Sequence, residues 1–526
     1  MIRAILIATL FLSGCNKLPD PKGPRICFSA YPMTFDPRLS ADIASATVVG
    51  LLYEGLTRCL PDGSVEKGLA ERIEVSEDLR IYTFHIRKAI WSDGSPIKAS
   101  DFERSWKEQL DPASPCISRY LFYPILNAEL ASRGQKSLSE VGIRSLDNKR
   151  LEVTLEHPTP YFISLTAFPS FFPVKDGESI DVPEEKKIGN GPFRVAKIIA
   201  QSEIILEKNP YFWNRHKILS KELRIAIIPD ENTALRLFER GELDWIGGVL
   251  SPLAQDAISE LNRQQRLEHI PIAASSFCVF NANSQPFANL HMRRAFMLSI
   301  HRDDIAGKIV NAGQVGANEC IPPALWGARE RNLLPSFDPD QARAELQIAL
   351  QELGIAMSDL PHIALQYRAN HVERQIAEAL RLQWLEILGI DVELIKYDSK
   401  RHRELLHKRN YQISLANWIA QYSDPINILE RFNHKENPKN YPGWEDTHFT
   451  DLLNRAKREI DPNMRLDLLD QAEKMLCEQS LVAPLYHWTG PVLRSSRLHN
   501  VQTTPNGGVL FDRSFTEFNN SPSSSP

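Results

Sequence analysis

The chain has 526 residues, with 61 Lys+Arg against 66 Asp+Glu for a net charge of −5, and is 43% hydrophobic and 24% charged. These values lie near the globular average and exclude a mainly disordered or fibrous protein. A net negative chain is not built to grip nucleic acid, and the length corresponds to about three to four domains' worth of core.

Met1 to Gly14 reads as an export signal. Arg3 supplies a positive start and Ala4 to Leu12 an apolar run. That run is far short of the roughly 20 residues a spanning helix needs, and it fits the apolar region of a signal peptide. Leu12-Ser13-Gly14-Cys15 is similar to a bacterial lipobox, so residues 1–14 are expected to be removed and Cys15 lipidated. The competing reading is a plain secretory signal with a chance Cys. Asn519 to Pro526 is low-complexity and is expected to be a disordered tail.

Six further cysteines, at 27, 59, 116, 278, 320 and 477, lack metal-ligand or CxxC spacing. A chain this long builds a core without staples, so they read as mostly buried thiols with room for one disulfide.

The elements alternate. Arg25 to Ala30 is a short strand, followed by a turn over Tyr31 to Pro37, and Ile81 to Arg87 is β-branched and aromatic. Trp91 to Pro96 is a turn, and Ser100 with Glu103 predicts a capping box opening a helix. Leu151 to Leu155 alternates as a strand does. The last third predicts helices over 340–354, 374–388 and 463–477, with Asp340 near an N-cap and Gly354 as a stop. Strands are expected at 391–397, 411–416 and 481–487. This alternation predicts mostly parallel sheets with helices on their faces. Nucleophile-elbow, zinc-protease, P-loop and dinucleotide motifs are all missing from the sequence. His371, ahead of the helix at 374–388, reads as a surface group.

A series of segments in order along the chain carries a family resemblance. It includes Phe35-Asp36-Pro37, Tyr53-Glu54-Gly55-Leu56, Tyr82 to Arg87, Trp91 to Pro96, Ser100-Asp101-Phe102 and His157 to Phe162. It continues through Gly189 to Phe193, Lys208 to Trp213, Gly241 to Asp244, Arg293 to Phe296, Leu388-Gly389-Ile390, Trp418 to Pro425 and Ala483 to Tyr486. The chain resembles the extracellular solute-binding proteins of the oligopeptide/dipeptide ABC transporter family over nearly all its mature length.

The resemblance implies an α/β, two-lobed periplasmic-binding-protein-like fold (type II) with an extra inserted α/β domain. The first lobe would combine 25–47, 183–271 and 489–518; the insertion would be 48–182 and the second lobe 272–488. Such a protein holds an extended peptide as an added strand and closes on it. The expected ligand residues are Ser29, Ala30, Tyr31 and Met33 on one side and Asn417, Trp418 and Ile419 on the other, with Tyr120 and Tyr397 aligned to aromatics near the ligand. Trp418 offers a large apolar face and one N–H; its alternative is a core role. Each of Tyr120 and Tyr397 reads equally as a packing residue.

One departure stands out. The family commonly reads Trp-x-x-Asp-Tyr-x-x-Pro, the Asp being the counter-charge for a peptide's α-ammonium, whereas this chain has Gln421 there, with Asp424 three residues on as a substitute. Basic residues expected toward the ligand carboxylate are also missing around Leu406 and Leu415. The expected function is therefore the lipid-anchored extracytoplasmic component of an ABC importer. It would act as a monomer without cofactor, metal or nucleic acid, passing a peptide or peptide-like solute to the permease subunits. A metal chelate, sugar or cell-wall fragment are the other ligands, and an exported hydrolase, adhesin or peptide chaperone the other classes.

Overall fold

The computed structural model describes residues 22–326 and 331–517. The signal segment 1–14, Cys15 and the tail 519–526 lie outside the described residues. Among those described, no helix is long and apolar enough to cross a membrane.

Ten strands form one sheet: β1 Arg25–Phe28, β2 Phe193–Ile199, β3 Glu203–Lys208, β4 Glu222–Ile227, β5 Trp245–Gly247, β6 Glu268–Phe280, β7 Ala364–Arg368, β8 Glu393–Tyr397, β9 Ile413–Ile419 and β10 Val482–Arg494. Their order across the sheet is β8-β7-β9-β6-β10-β5-β1-β4-β3-β2. Four neighbour pairings are parallel and five antiparallel. The mostly parallel expectation is therefore corrected. Parallel neighbours occur where a helix makes the crossover, as His371–Leu388 does between β7 and β8. β2 and β3 are a hairpin, and the two longest strands, β6 and β10, run against each other.

β6 and β10 join the two halves of the molecule. Each has 13 residues, where sequence patterning marked only 481–487 of β10. Their register slips between Pro271 and Ser275 and again between Ser276 and Phe277. Such bulges bend a paired ribbon. On one side of this bend β10 pairs with β5, and on the other β6 pairs with β9.

Between β1 and β2 the chain builds a second, four-stranded antiparallel sheet from Ala70–Val75, Ile81–Ile86, Arg150–Thr154 and Ile143–Ser145. Its core is aromatic: Trp106 meets Phe171 edge-on at 5.0 Å and donates Nε1–H to the Phe171 carbonyl. The helix here begins at Ala99, and its reciprocal cap is Asp101, which accepts from Lys98 N (2.9 Å). Glu103 is drawn away to Ser145 N and Oγ, both 2.7 Å, so the expected Ser100–Glu103 box does not form.

In the second half, the helix Pro339–Leu353 is capped by Asp338, two residues earlier than Asp340, and ends at Gly354 with φ +66°. His371 lies inside the first turn of its helix, after the Asn370 cap. All six described cysteines are thiols.

Candidate ligand-binding site

A cavity of about 480 Å³ lies where four stretches of chain meet: residues 40–65, 117–120 with 164–172, 419–423, and 504–512. The first is shaped locally. Asp42 caps the helix Ile43–Leu52 by accepting from Ser45 N and Oγ. After the helix, Asn190 clamps the backbone of Glu54, accepting its N–H (3.1 Å) and donating to its carbonyl (3.0 Å). Gly55 is required for close approach: a Cβ there would lie 2.6 Å from the Phe172 ring and 2.7 Å from the Thr166 carbonyl. Tyr53-Glu54-Gly55 and Gly189-Asn190-Gly191, two of the segments that carried the resemblance, thus meet and hold one wall.

The cavity is mostly apolar, lined by Ile117, Phe168, Phe172, Ile419 and Val509 among others, and two of its charged groups pair with each other. Arg58 binds Asp512 through both terminal guanidinium nitrogens, one bond measuring 2.8 Å. Glu54 accepts from Trp213 Nε1 at 2.5 Å, and Arg87 stacks over the same indole at 3.6 Å. Burial pushes the Glu54 carboxyl up to about 7 from its ordinary 4.5, against the hydrogen bond and the nearby Arg58 and Arg87. The folded chain therefore holds this proton more tightly than the unfolded chain. The group's penalty is absent below pH ~4.5, grows as pH rises toward ~7, and is full above it. Glu54→Gln is expected to raise stability by up to ~3 kcal/mol at pH 8 and to change little at pH 4; paired thermal melts at the two pH values check this.

The inserted region closes one side against the loop after β9. Tyr161 stacks on Tyr422 with centroids 5.3 Å apart and planes 7° from parallel. Burial pushes the Tyr120 hydroxyl up to about 12, while its hydrogen bond with the Gln421 side chain acts the other way. Lys439 Nζ sits 5.3 Å from the Tyr120 ring centroid, and Gln421 N donates to Asn427 Oδ1 (3.0 Å).

Of the residues expected from sequence, Tyr120, Ile419 and Gln421 line this cavity together. Ser29, Ala30, Tyr31 and Met33 do not: the Ser29 N–H is bonded to the Leu250 carbonyl (2.8 Å), Tyr31 stacks on Phe35, and Met33 is 84% exposed. Tyr397 ends the outermost strand, β8, away from the cavity. Asn417 and Trp418 pair with Ser276 and Ser275 of β6. Trp418 is buried against Phe277 (4.0 Å), Phe432 (5.1 Å) and Tyr441, so its surroundings here are those of a core residue, though its Nε1 has no hydrogen-bond partner. Asp424 is not a spare counter-charge: Arg465 donates to both its oxygens (2.8 and 3.0 Å), and Ile426 N donates to one (3.0 Å). Sequence reading missed the 504–512 wall and the Arg58–Asp512 pair, which join positions 454 residues apart; no local pattern announces such a contact.

One sheet bent at its two longest strands, a second sheet inserted between β1 and β2, and a cavity walled by the inserted region, the end of β9 with the loop after it, and residues 504–512 define a two-lobed solute-binding protein. The family model for bacterial extracellular solute-binding proteins, family 5 (middle), matches residues 64–440, and the chain belongs to this family. It is 34% identical to the oligopeptide-binding protein OppA of Bacillus subtilis, over 98% of each chain. Among solved structures it is similar to the murein tripeptide-binding protein MppA of Escherichia coli (TM-score 0.77, 23% identity, 95% of this chain and all of that one). Haemophilus influenzae OppA in complex with the peptide RPPGFSPFR gives 0.75 and 24%, over 95% of this chain and all of that one. The fold is the type II periplasmic-binding-protein fold.

Proposed function

We propose that this protein is the extracytoplasmic binding component of an ABC importer, capturing peptide-like solutes in the cavity between its lobes for delivery to a membrane permease. The observation that carries the reading is the cavity itself. It is mostly apolar, Arg58 and Asp512 in its wall pair with each other, and it is walled by parts of the chain that a hinge at the β6–β10 bend moves relative to one another. The first lobe is 25–47, 183–271 and 489–518, the insertion 48–182 and the second lobe 272–488. Tyr120, Ile419 and Gln421 contact the ligand. Asn417 and Trp418 act behind them, on the strand that delivers Ile419. The names of the B. subtilis and H. influenzae relatives support a peptide as the ligand class.

A ligand that bridges the lobes binds the closed state better than the open one and so shifts the population toward it. Mixing the protein with a peptide library is expected to lower its radius of gyration in small-angle scattering. A ligand at 100 times its Kd should add ~2.7 kcal/mol of stability. Binding without compaction would argue for a rigid surface site.

The mature chain is a monomer tethered by acyl chains on Cys15. The support is the Leu12-Ser13-Gly14-Cys15 sequence, since each buried CH₂ of an attached chain contributes ~0.8 kcal/mol of membrane affinity. Cys15→Ser should move the protein from the membrane to the soluble fraction or block its processing; unchanged mass and fractionation would sink the anchor.

A further inference from the structure

Outside the binding cavity, Cys320, Glu473 and Cys477 bring their donor atoms within 4.8 Å of one another, and all three are buried. The two sulfurs lie 3.4 Å apart although the residues are 157 positions apart in the chain. Their approach is set by the residues around them. Glu473 and Cys477 stand one turn apart on the helix Pro462–Glu478 and share a face. Glu473 Oε1 accepts from both Cys320 N (2.8 Å) and Ile321 N (2.7 Å), which lays the 320–321 backbone against that face. Arg331 ties the other Glu473 oxygen, Glu319 (3.2 Å) and Asp470 (2.6 Å) together and stacks over Trp326.

We propose that Cys320 and Cys477 are a cross-link site, joined as a disulfide in the mature protein. Closing the bond needs the sulfurs to move from 3.4 Å to ~2.0 Å apart, a shift within reach of side-chain rotation. A metal is the poorer occupant. Both Glu473 oxygens are taken by N–H groups, which leaves two sulfur ligands where a structural zinc site uses four. The other described cysteines are engaged elsewhere: Cys27 with Ser251, Cys116 with Gln109, Cys59 with the Leu60 carbonyl, and Cys278 in the hydrophobic core.

The oxidant is a second disulfide, of a small thiol or of an oxidoreductase. The thiolate of one cysteine attacks a donor sulfur and releases one donor thiolate. The second cysteine then attacks the mixed disulfide and releases the other. Two protons leave the cysteines, and the donor disulfide is reduced to two thiols. The hydrogen bond with Cys477, and burial, push the Cys320 thiol well above its ordinary value, so attack is slow once the site has closed. The exchange belongs to folding, before the 320–321 segment docks. The bond closes a loop holding β7, β8, β9 and the helices between them, so it staples most of the second lobe.

The test uses the full chain, folded in a reduced/oxidised glutathione buffer and separately in dithiothreitol, and so does not depend on where the protein resides. The expected result is a 320–477 linked peptide in a non-reducing digest, two fewer alkylatable thiols, and a melting temperature higher by ~5 °C or more that dithiothreitol reverses. Cys320→Ser and Cys477→Ser should each abolish all three changes. Circular dichroism reports folding in every sample. A folded protein whose two thiols stay alkylatable, or carry glutathione singly, overturns the proposal. So does zinc that co-purifies at one equivalent and is lost in both serine variants.

Discussion

Arg465→Met should destabilise the protein by ~3–5 kcal/mol, because it strands the Asp424 carboxylate in a buried site. The guanidinium grips both Asp424 oxygens, reaches the Ala456 carbonyl (3.1 Å), and lies over the Tyr161 ring at 5.6 Å. It therefore fixes the loop that presents Gln421 and Tyr422 to the cavity from behind. Asp424→Asn should cost a similar amount, now with the cation stranded. The double variant Arg465→Met/Asp424→Leu should recover most of the loss, since an apolar pair of similar volume removes both desolvation terms. Urea denaturation midpoints with unchanged slope measure all three. Asp424→Asn that leaves stability intact but weakens ligand binding tenfold would return Asp424 to the role of ligand counter-charge.

The parts of this molecule that sequence reading reached are those with a local signature. The helices His371–Leu388 and Pro462–Glu478 announce themselves by apolar residues at helical spacing, with Gly389 as a stop for the first. Their first turns were misjudged by one to three residues because Asn370 and Asp461 cap them, and a cap is one residue among many polar ones. Strand direction was not legible at all: β2 and β3 carry the same β-branched composition as the parallel β1 and β4, and only the hairpin between them reverses the chain. The family motifs were legible but point mostly to scaffold. Asn190 clamps Glu54, and Arg293 holds the Phe287 and Ala288 carbonyls (2.7 and 3.1 Å). The cavity was legible only through Tyr120, Ile419 and Gln421. Its remaining walls come from segments hundreds of positions apart, and the pairings that neutralise it, Arg58 with Asp512 and Asp424 with Arg465, exist only in the fold.

Gln421→Asp should convert the site to one that prefers a free peptide amine by tenfold or more, about 1.4 kcal/mol. Among the described residues of the wild-type protein no carboxylate is left over at this end of the cavity, whose charged neighbours are the cations Lys439, near the Tyr120 ring, and Arg431, which donates to the Ile419 carbonyl (3.1 Å). Gln421 is neutral, Asp424 is held by Arg465, and Glu430, half-buried, accepts from the Tyr422 hydroxyl (3.3 Å) and pairs with Lys457 (3.9 Å). A buried ammonium needs a paired anion, and leaving it without one costs several kcal/mol. The Gln421 carbonyl offers a hydrogen bond but no charge. Wild type should therefore bind a peptide and its N-acetylated form with near-equal affinity, and accept ligands whose amine is blocked or missing, cell-wall fragments among them. In Gln421→Asp the new carboxylate faces the Tyr120 hydroxyl, which can donate to it, and the backbone N–H of residue 421 remains bound to Asn427 Oδ1, so the loop keeps its shape. Calorimetry of the two peptides against both proteins gives the four affinities required. A wild-type preference for the free amine of tenfold or more would mean that a charge elsewhere in the cavity reaches the ligand, and Glu54 would be the group to replace next, because it lines the same cavity. A gain confined to Gln421→Asp would place the ligand amine at residue 421 and make that position the determinant of what this protein carries.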